Sequence, residues 1–184
     1  VFDGTKKGTY SETDSVNPLN VYSKTKLMGE EVVLSNNNGL VLRTNIIGWT
    51  QGANTSFAEW VLKGLIDNTP LNLFYDVHFS PLTVYDLSLI IEKIVKQPLF
   101  GLYHCASSDS ISKYDYGKKM AKIFQLPCSN INRVSVDKMM FKATRPKNMA
   151  LNVKKISSDL KYNLASVEDS LKSLKHQYDI KKIY

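Results

Sequence analysis

No apolar run in these 184 residues approaches the roughly 18 needed to cross a bilayer as a helix. No basic n-region followed by an apolar h-region opens the chain either, so a cytoplasmic location and no membrane partner are the expectation. Cysteine is scarce: Cys105 and Cys128 form no CxxC pair and no metal-ligand spacing, so no metal is expected and both read as small buried hydrophobes. A glycine-rich dinucleotide turn is also missing, because no GxxGxxG follows a strand anywhere in the chain. Internal repeats and low-complexity linkers are absent as well, which excludes solenoids and tethered arrays.

What is present is ordinary for a globular chain. Hydrophobic residues make up 43% and charged residues 22%, enough to bury a core and to exclude disorder. The net charge of +7 raises the question of nucleic acid. The lysines, however, are scattered as Lys6-Lys7, Lys24, Lys118-Lys119, Lys154-Lys155 and Lys181-Lys182, without an arginine stripe, zinc-finger spacing or RNP-type aromatic run. The reading is a solvated basic surface that attracts anionic small substrates and binds no nucleic acid.

Strand and helix signals mix throughout, which gives an α/β class. Val1-Phe-Asp-Gly4 reads as the end of a buried strand, and Thr5 to Asn17 as a loop. Pro18 prepares a helix over about Asn20 to Leu34, ended by Asn36-Asn-Asn-Gly39. Leu40 to Arg43 is a buried parallel strand, followed by a loop over Thr44 to Asn54. Helices are predicted over Phe57–Ile66, Val84–Val95 and from Ser112 to Phe124, and one starts at Ser166-Val-Glu-Asp169. Strands are predicted over Leu71–Tyr75, Val77–Thr83, Gly101–Cys105 and Ile131–Val136, with a basic loop over Lys138–Asn148.

The chemistry-bearing pattern is Tyr22 and Lys26 within Pro18-Leu-Asn-Val-Tyr-Ser-Lys-Thr-Lys26. Positions i and i+4 share a helix face, so phenol and ammonium can enter one site. A nearby cation favours the phenolate and tunes a tyrosine for proton transfer. The bare spacing also occurs by chance on solvated helices.

Its flanks decide between the two. Val1-Phe-Asp-Gly4, then Tyr10, Glu12 and Asp14, then Asn17-Pro-Leu-Asn20, Tyr22, Lys26 and Gly29-Glu30 stand in one order. Leu42-Arg-Thr44, Pro81 with Thr83 and Asp86-Leu87, Gly101-Leu-Tyr-His104, and Arg145-Pro146 with Leu151 follow it. On these residues the chain resembles an extended short-chain dehydrogenase/reductase, closest to the dTDP-4-dehydrorhamnose reductase family. The resemblance implies the second half of a Rossmann-type parallel sheet with the Tyr/Lys helix over 1–70. Over 71–184 it implies a small mixed α/β substrate subdomain with returning sheet elements.

The same resemblance implies roles. Tyr22 is the general acid, Lys26 supports it and the nicotinamide ribose, and Thr44-Asn45-Ile46 pass the nicotinamide end of NADPH or NADH. Phe2, Trp49, His78 and Arg145 contact a nucleotide-sugar substrate, with Arg145 facing the diphosphate. A structural salt bridge is the alternative for Arg145, a wall position for Trp49, and a hydrogen-bonded structural role for His78. His104 is expected in a buried strand, His176 at the surface, and Asp3 and Asp14 in turns and caps.

Two departures from the family pattern bear on function. The stretch after the strand arginine is Thr44-Asn-Ile-Ile-Gly-Trp49 rather than a Thr-Ser-Trp-Val-Tyr-like run, which leaves the sugar open. The glycine-rich turn and the family's catalytic Ser/Thr are missing, so the chain reads as a C-terminal fragment, inactive by itself, of a reductase for which a homodimer is the expectation. The alternatives are a sugar-nucleotide epimerase or dehydratase of the same superfamily, and a regulatory subunit resembling the methionine adenosyltransferase beta subunit.

Overall fold

The computed structural model describes residues 1–50 and 55–181. Helices and short strands alternate, and four of the five strand pairs among the described residues are parallel. Strand β1 (Leu40–Arg43) pairs with β6 (Gly101–His104), β2 (Asn45–Ile47) with β5 (Pro81–Thr83), and β3 (Leu71–Phe74) with β8 (Ile131–Val134). A small sheet orders β7 (Ile111–Ser112), β4 (His78–Phe79) and β9 (Asn148–Met149) side by side, with β7–β4 antiparallel and β4–β9 parallel. The class is α/β, as expected.

The helices are α1 (Val21–Leu34), α2 (Phe57–Ile66), α3 (Val84–Lys96), α4 (Lys113–Phe124), α5 (Lys154–Leu160) and α6 (Val167–Lys181). Their starts are chemically specified. Asn20, Ser56, Thr83 and Ser112 each accept a backbone N–H of the first turn, worth about 1 kcal/mol apiece. At α2 the Ser56–Glu59 pair closes a full capping box, and Ser166 with Asp169 exchange similar bonds at α6.

Two apolar clusters support these elements. One packs Leu82, Ile90, Tyr103, Ile156 and Leu160 against Phe2 and Tyr10. The other packs Leu71, Leu73, Phe79, Tyr116, Met120 and Leu171 beneath α2, α4 and α6. Gly64 and Gly117 let α2 and α4 approach this second cluster; an added Cβ would lie 2.4 Å from Leu71 and 2.2 Å from Leu73.

Several boundaries differ from the sequence reading. Val1–Asp3 forms no strand, since no described residue supplies a ladder beside it; the nearest pairing is an isolated bridge between Tyr10 and Leu151. The loop over Thr44–Asn54 instead starts with β2, because β5 offers it a parallel partner; residues 51–54 lie outside the described residues. The single strand over Val77–Thr83 breaks at Ser80. That residue's N–H goes to the Asn45 side chain (3.1 Å) and its hydroxyl accepts from Leu151 N–H (3.3 Å) rather than joining a ladder. The basic loop ends in β9, and α5 is an unforeseen helix with no side-chain cap to announce it. Cys105 is buried as expected, whereas Cys128 is exposed in the turn after α4.

Candidate active site

Helix α1 presents Tyr22 to solvent, 71% exposed, on its first turn. Lys26 follows one turn later, and its Nζ lies 5.5 Å from the centroid of the Tyr22 ring. The helix is anchored one turn further on. Glu30 takes Arg43 of β1 in a forked ion pair, with Nε–Oε1 2.9 Å and Nη2–Oε2 2.6 Å. Both side chains are almost buried, at 9% and 11% exposed, so the bond fixes the rotation of α1 relative to the sheet. The tie holds α1 to β1 at the turn that follows Lys26, while Tyr22 stays open on the first turn.

The start of α1 is also joined to the basic loop. Asn20 caps the helix through Ser23 N–H at 2.9 Å and donates its amide to the Thr144 carbonyl at 3.0 Å. Arg145, the next residue, lies in a cleft of about 620 Å³ that Asp3, Gly4, Asn17, Leu19 and Lys147 also line. Its guanidinium sits 4.8 Å from the Phe141 ring centroid, and no carboxylate pairs with it among the described residues. Gly4 shapes this cleft at φ +78°, where an added Cβ would lie 2.6 Å from Lys147 N and 2.7 Å from Pro146 Cβ.

Asp3 and Asp14 do structural work in the first loop. Asp3 accepts from Thr5 N–H and Oγ1, from Asn17 and from Tyr10, and those bonds hold its carboxyl down to about 2. Asp14 accepts from Lys6 and from Ser11 N–H and is likewise held to about 2. Together they shape the loop between Val1 and the start of α1.

The other candidates are only partly brought together. His78 is exposed in β4, and its N–H donates to the Lys147 carbonyl at 2.8 Å, so it stands beside the basic loop. Phe2 departs from the substrate-facing expectation. It is 7% exposed, stacked on Tyr10 at 4.1 Å with the Arg43 guanidinium 4.9 Å from its ring, because the apolar core offers it more than the cleft does. Trp49 packs near Tyr178, 5.6 Å between rings, and lines a second cleft with Glu59 and Leu62 that shares no residue with the Arg145 cleft.

Of the cofactor candidates, Thr44 has a buried hydroxyl without a hydrogen-bond partner. Asn45 commits its Oδ1 to Ser80 N–H, and Ile46 is 49% exposed. His104 is fully buried, its Nδ1 3.0 Å from the Tyr10 carbonyl, and burial lowers its pKa. His176 is at the surface.

One residue escaped the sequence reading. Lys113, first residue of α4, places its Nζ 3.6 Å from the Phe79 ring centroid and 3.8 Å from that of Phe57. Burial first, and the neighbouring Arg145 charge second, hold its amine down to about 8. The available signal was its position: a lysine in the first turn after the Ser112 cap opposes the helix dipole and needs another reason to be there.

The chain matches the family model for the RmlD substrate-binding domain over residues 1–180. The chain belongs to the RmlD substrate-binding-domain family. Methionine adenosyltransferase 2 subunit beta of Rattus norvegicus is 30% identical over 169 residues, covering 86% of this chain and 49% of that relative. A dTDP-4-dehydrorhamnose reductase of Aggregatibacter actinomycetemcomitans is 27% identical over 188 residues, covering 95% of this chain and 63% of the relative. The crystal structure of dTDP-4-dehydrorhamnose reductase from Bacillus anthracis in complex with NADP superposes with a TM-score of 0.87. It is 24% identical and covers 96% of this chain and 62% of its own, so the shared fold is what this likeness establishes. The RmlD-type chain described here thus spans about half to three-fifths of the length of these relatives.

Proposed function

We propose that this chain is the substrate-binding part of an NAD(P)H-dependent reductase of 4-keto sugar nucleotides, acting on dTDP-4-dehydro-L-rhamnose. The observation that carries the reading is the Asn20–Thr144 bond, which couples the first turn of the Tyr22/Lys26 helix to the loop bearing Arg145. The helix that carries the general acid thereby starts at the cleft that Arg145 lines, with Asn17 and Leu19 in the cleft wall. The 1–70 stretch then supplies the Tyr/Lys helix, and 71–184 the substrate side. A cytoplasmic setting and a homodimer belong to the same reading.

The residues fit the nicotinamide end of the cofactor. Tyr22 and Lys26 lie open on one face, and the orphaned Thr44 hydroxyl stands at the C-terminal end of β1. In open α/β sheets that end is where ligands gather. The cofactor, when bound, supplies a hydride to the sugar carbonyl carbon. Tyr22 gives its phenolic proton to the carbonyl oxygen, and the Lys26 ammonium stabilises the phenolate left behind. Arg145 holds the diphosphate through its planar fork.

The test follows NADPH oxidation with dTDP-4-dehydro-L-rhamnose by this chain joined to a glycine-rich dinucleotide-binding half. Turnover is expected in the joined form, and none in the 184 residues alone. Turnover by the isolated chain, or none in the joined form with intact sugar binding, contradicts the reading.

The 30% identity to methionine adenosyltransferase 2 subunit beta favours one second reading, a regulatory subunit. In that case a partner enzyme co-purifies, and Tyr22→Phe leaves its regulation unchanged.

A further inference from the structure

The side-chain amide of Asn20 is engaged at both ends. Its Oδ1 accepts from the N–H of Ser23 at 2.9 Å and from the Ser23 hydroxyl at 3.0 Å, and Ser23 is the buried residue of α1. Its Nδ2 donates to the Thr144 carbonyl at 3.0 Å, across 124 residues of chain. A serine or an aspartate would cap the helix about as well as asparagine does. Neither would make the second bond: aspartate brings an acceptor to an acceptor, and the serine hydroxyl stops short of the carbonyl. Capping alone therefore does not account for a carboxamide at position 20.

The segment 139–148 that receives the second bond is fastened unevenly. Its C-terminal end is tied from several sides. Asn148 donates to the carbonyls of Lys6 (2.7 Å) and Gly8 (2.5 Å), and Lys147 pairs with Asp137 and Asp76. The Lys147 carbonyl accepts from His78 N–H at 2.8 Å, and the Gly4 backbone packs against Pro146 and Lys147. The other end projects outward, with Met139, Met140 and Phe141 all exposed. Among the described residues, the bond from Asn20 is the one hydrogen bond that ties residues 140–144 back to the fold. Arg145 stands between these two fastenings, in the wall of the cleft.

We infer that Asn20 is a positioning residue for the proposed reduction: its amide latches the Arg145 segment to the first turn of the Tyr22 helix, so that an anion held by Arg145 and the Tyr22 hydroxyl keep one mutual placement. The assignment deepens the nucleotide-sugar reading and rests on it for the reaction served. The Thr144 carbonyl and the Arg145 N–H belong to one planar peptide group, so the latch sets the plane from which the Arg145 side chain departs. Tyr22 lies between Asn20 and Ser23, inside the turn that the same amide caps. With the latch closed, the segment is ordered before the ligand arrives, and that preorganisation raises affinity. By reciprocity, a bound anion strengthens the latch by the same factor. For one neutral hydrogen bond that factor is about 2- to 10-fold.

The test titrates the 184-residue chain with inorganic pyrophosphate and with dTDP, read by calorimetry and heteronuclear NMR, and Arg145→Gln locates the binding. It compares wild type with Asn20→Ser and Asn20→Asp, which keep the cap and lose the latch, and with Asn20→Ala, which loses both. Asn20→Ser adds no charge that could repel the probes. In wild type, either probe is expected to shift the amide signals of residues 144–147 and, with them, those of Tyr22 and Ser23. In Asn20→Ser and Asn20→Asp the affinity is expected to fall about 2- to 10-fold and the α1 response to disappear, with the urea midpoint close to wild type. Asn20→Ala alone lowers that midpoint, which separates the latch from a merely structural cap. An α1 response that survives in Asn20→Ser and Asn20→Asp overturns the latch and leaves the nucleotide-sugar reading standing. So does binding at Arg145 that never reaches α1 in wild type, and no binding of either probe overturns the latch as well. If the latch responds as expected but the chain joined to a dinucleotide-binding half does not reduce dTDP-4-dehydro-L-rhamnose, the latch stands and the reductase reading falls.

Discussion

Replacing Lys113 by methionine tests the electrostatics of the site without any ligand. A drop in the lysine pKa from 10.5 to about 8 corresponds to roughly 3 kcal/mol against keeping the ammonium in the fold. The two ring faces return about 1 kcal/mol each. The balance leaves the charged side chain a net burden of about 1 kcal/mol, and a methionine of similar length fills the same space against Phe57 and Phe79. Lys113→Met is therefore expected to be about 1 kcal/mol more stable than wild type at pH 7.

The sign with pH follows from linkage. The lysine is depressed in the fold, so between about pH 8 and 10.5 the unfolded chain binds more protons and wild type gains stability as pH rises. The advantage of the variant is constant below about pH 8 and shrinks through that window. Urea unfolding followed by tryptophan fluorescence at pH 6 to 10.5 measures it, and taking the difference from wild type at each pH removes the contribution of other groups. A variant that is less stable by more than 1 kcal/mol at pH 7, or a difference that does not change with pH, refutes the reasoning.

Other perturbations have defined outcomes. Glu30→Ala leaves the nearly buried Arg43 guanidinium without its carboxylate and is expected to destabilise the chain by about 3 kcal/mol in urea unfolding. A loss below about 1 kcal/mol would show that the pair does not anchor α1. Gly4→Ala forces a positive φ on a side chain that also meets Lys147 and Pro146, so about 1–3 kcal/mol of stability is lost. Pyrophosphate affinity at Arg145 falls with it, read by calorimetry. Tyr22→Phe touches a side chain that is 71% exposed and is expected to change unfolding stability by less than about 0.5 kcal/mol.

The sequence was most legible where local chemistry and function coincide. The Tyr22–Lys26 helix and the strand at Leu40–Arg43 could both be read from propensity and spacing, because each is specified within a few residues. What escaped depended on partners far along the chain. Strand β2 exists because β5 arrives beside it from more than thirty residues away. Strand β9 exists because β4 supplies an edge to the end of the basic loop. Phe2 looked like a ligand contact until Tyr10 and Arg43 closed over it. Lys113 was invisible for the same reason, since its aromatic walls come from α2 and β4 and its neighbouring charge from the loop at Arg145.

The most direct test of the account is the rate of dTDP-4-dehydro-L-rhamnose reduction by this chain joined to a glycine-rich dinucleotide-binding half, with tyrosine or phenylalanine at position 22. Loss of general acid catalysis is expected to lower kcat by about 10²- to 10⁴-fold, with pyrophosphate and dTDP affinities unchanged. Equal kcat for the two forms would contradict the claim that Tyr22 is the proton donor of the proposed reduction.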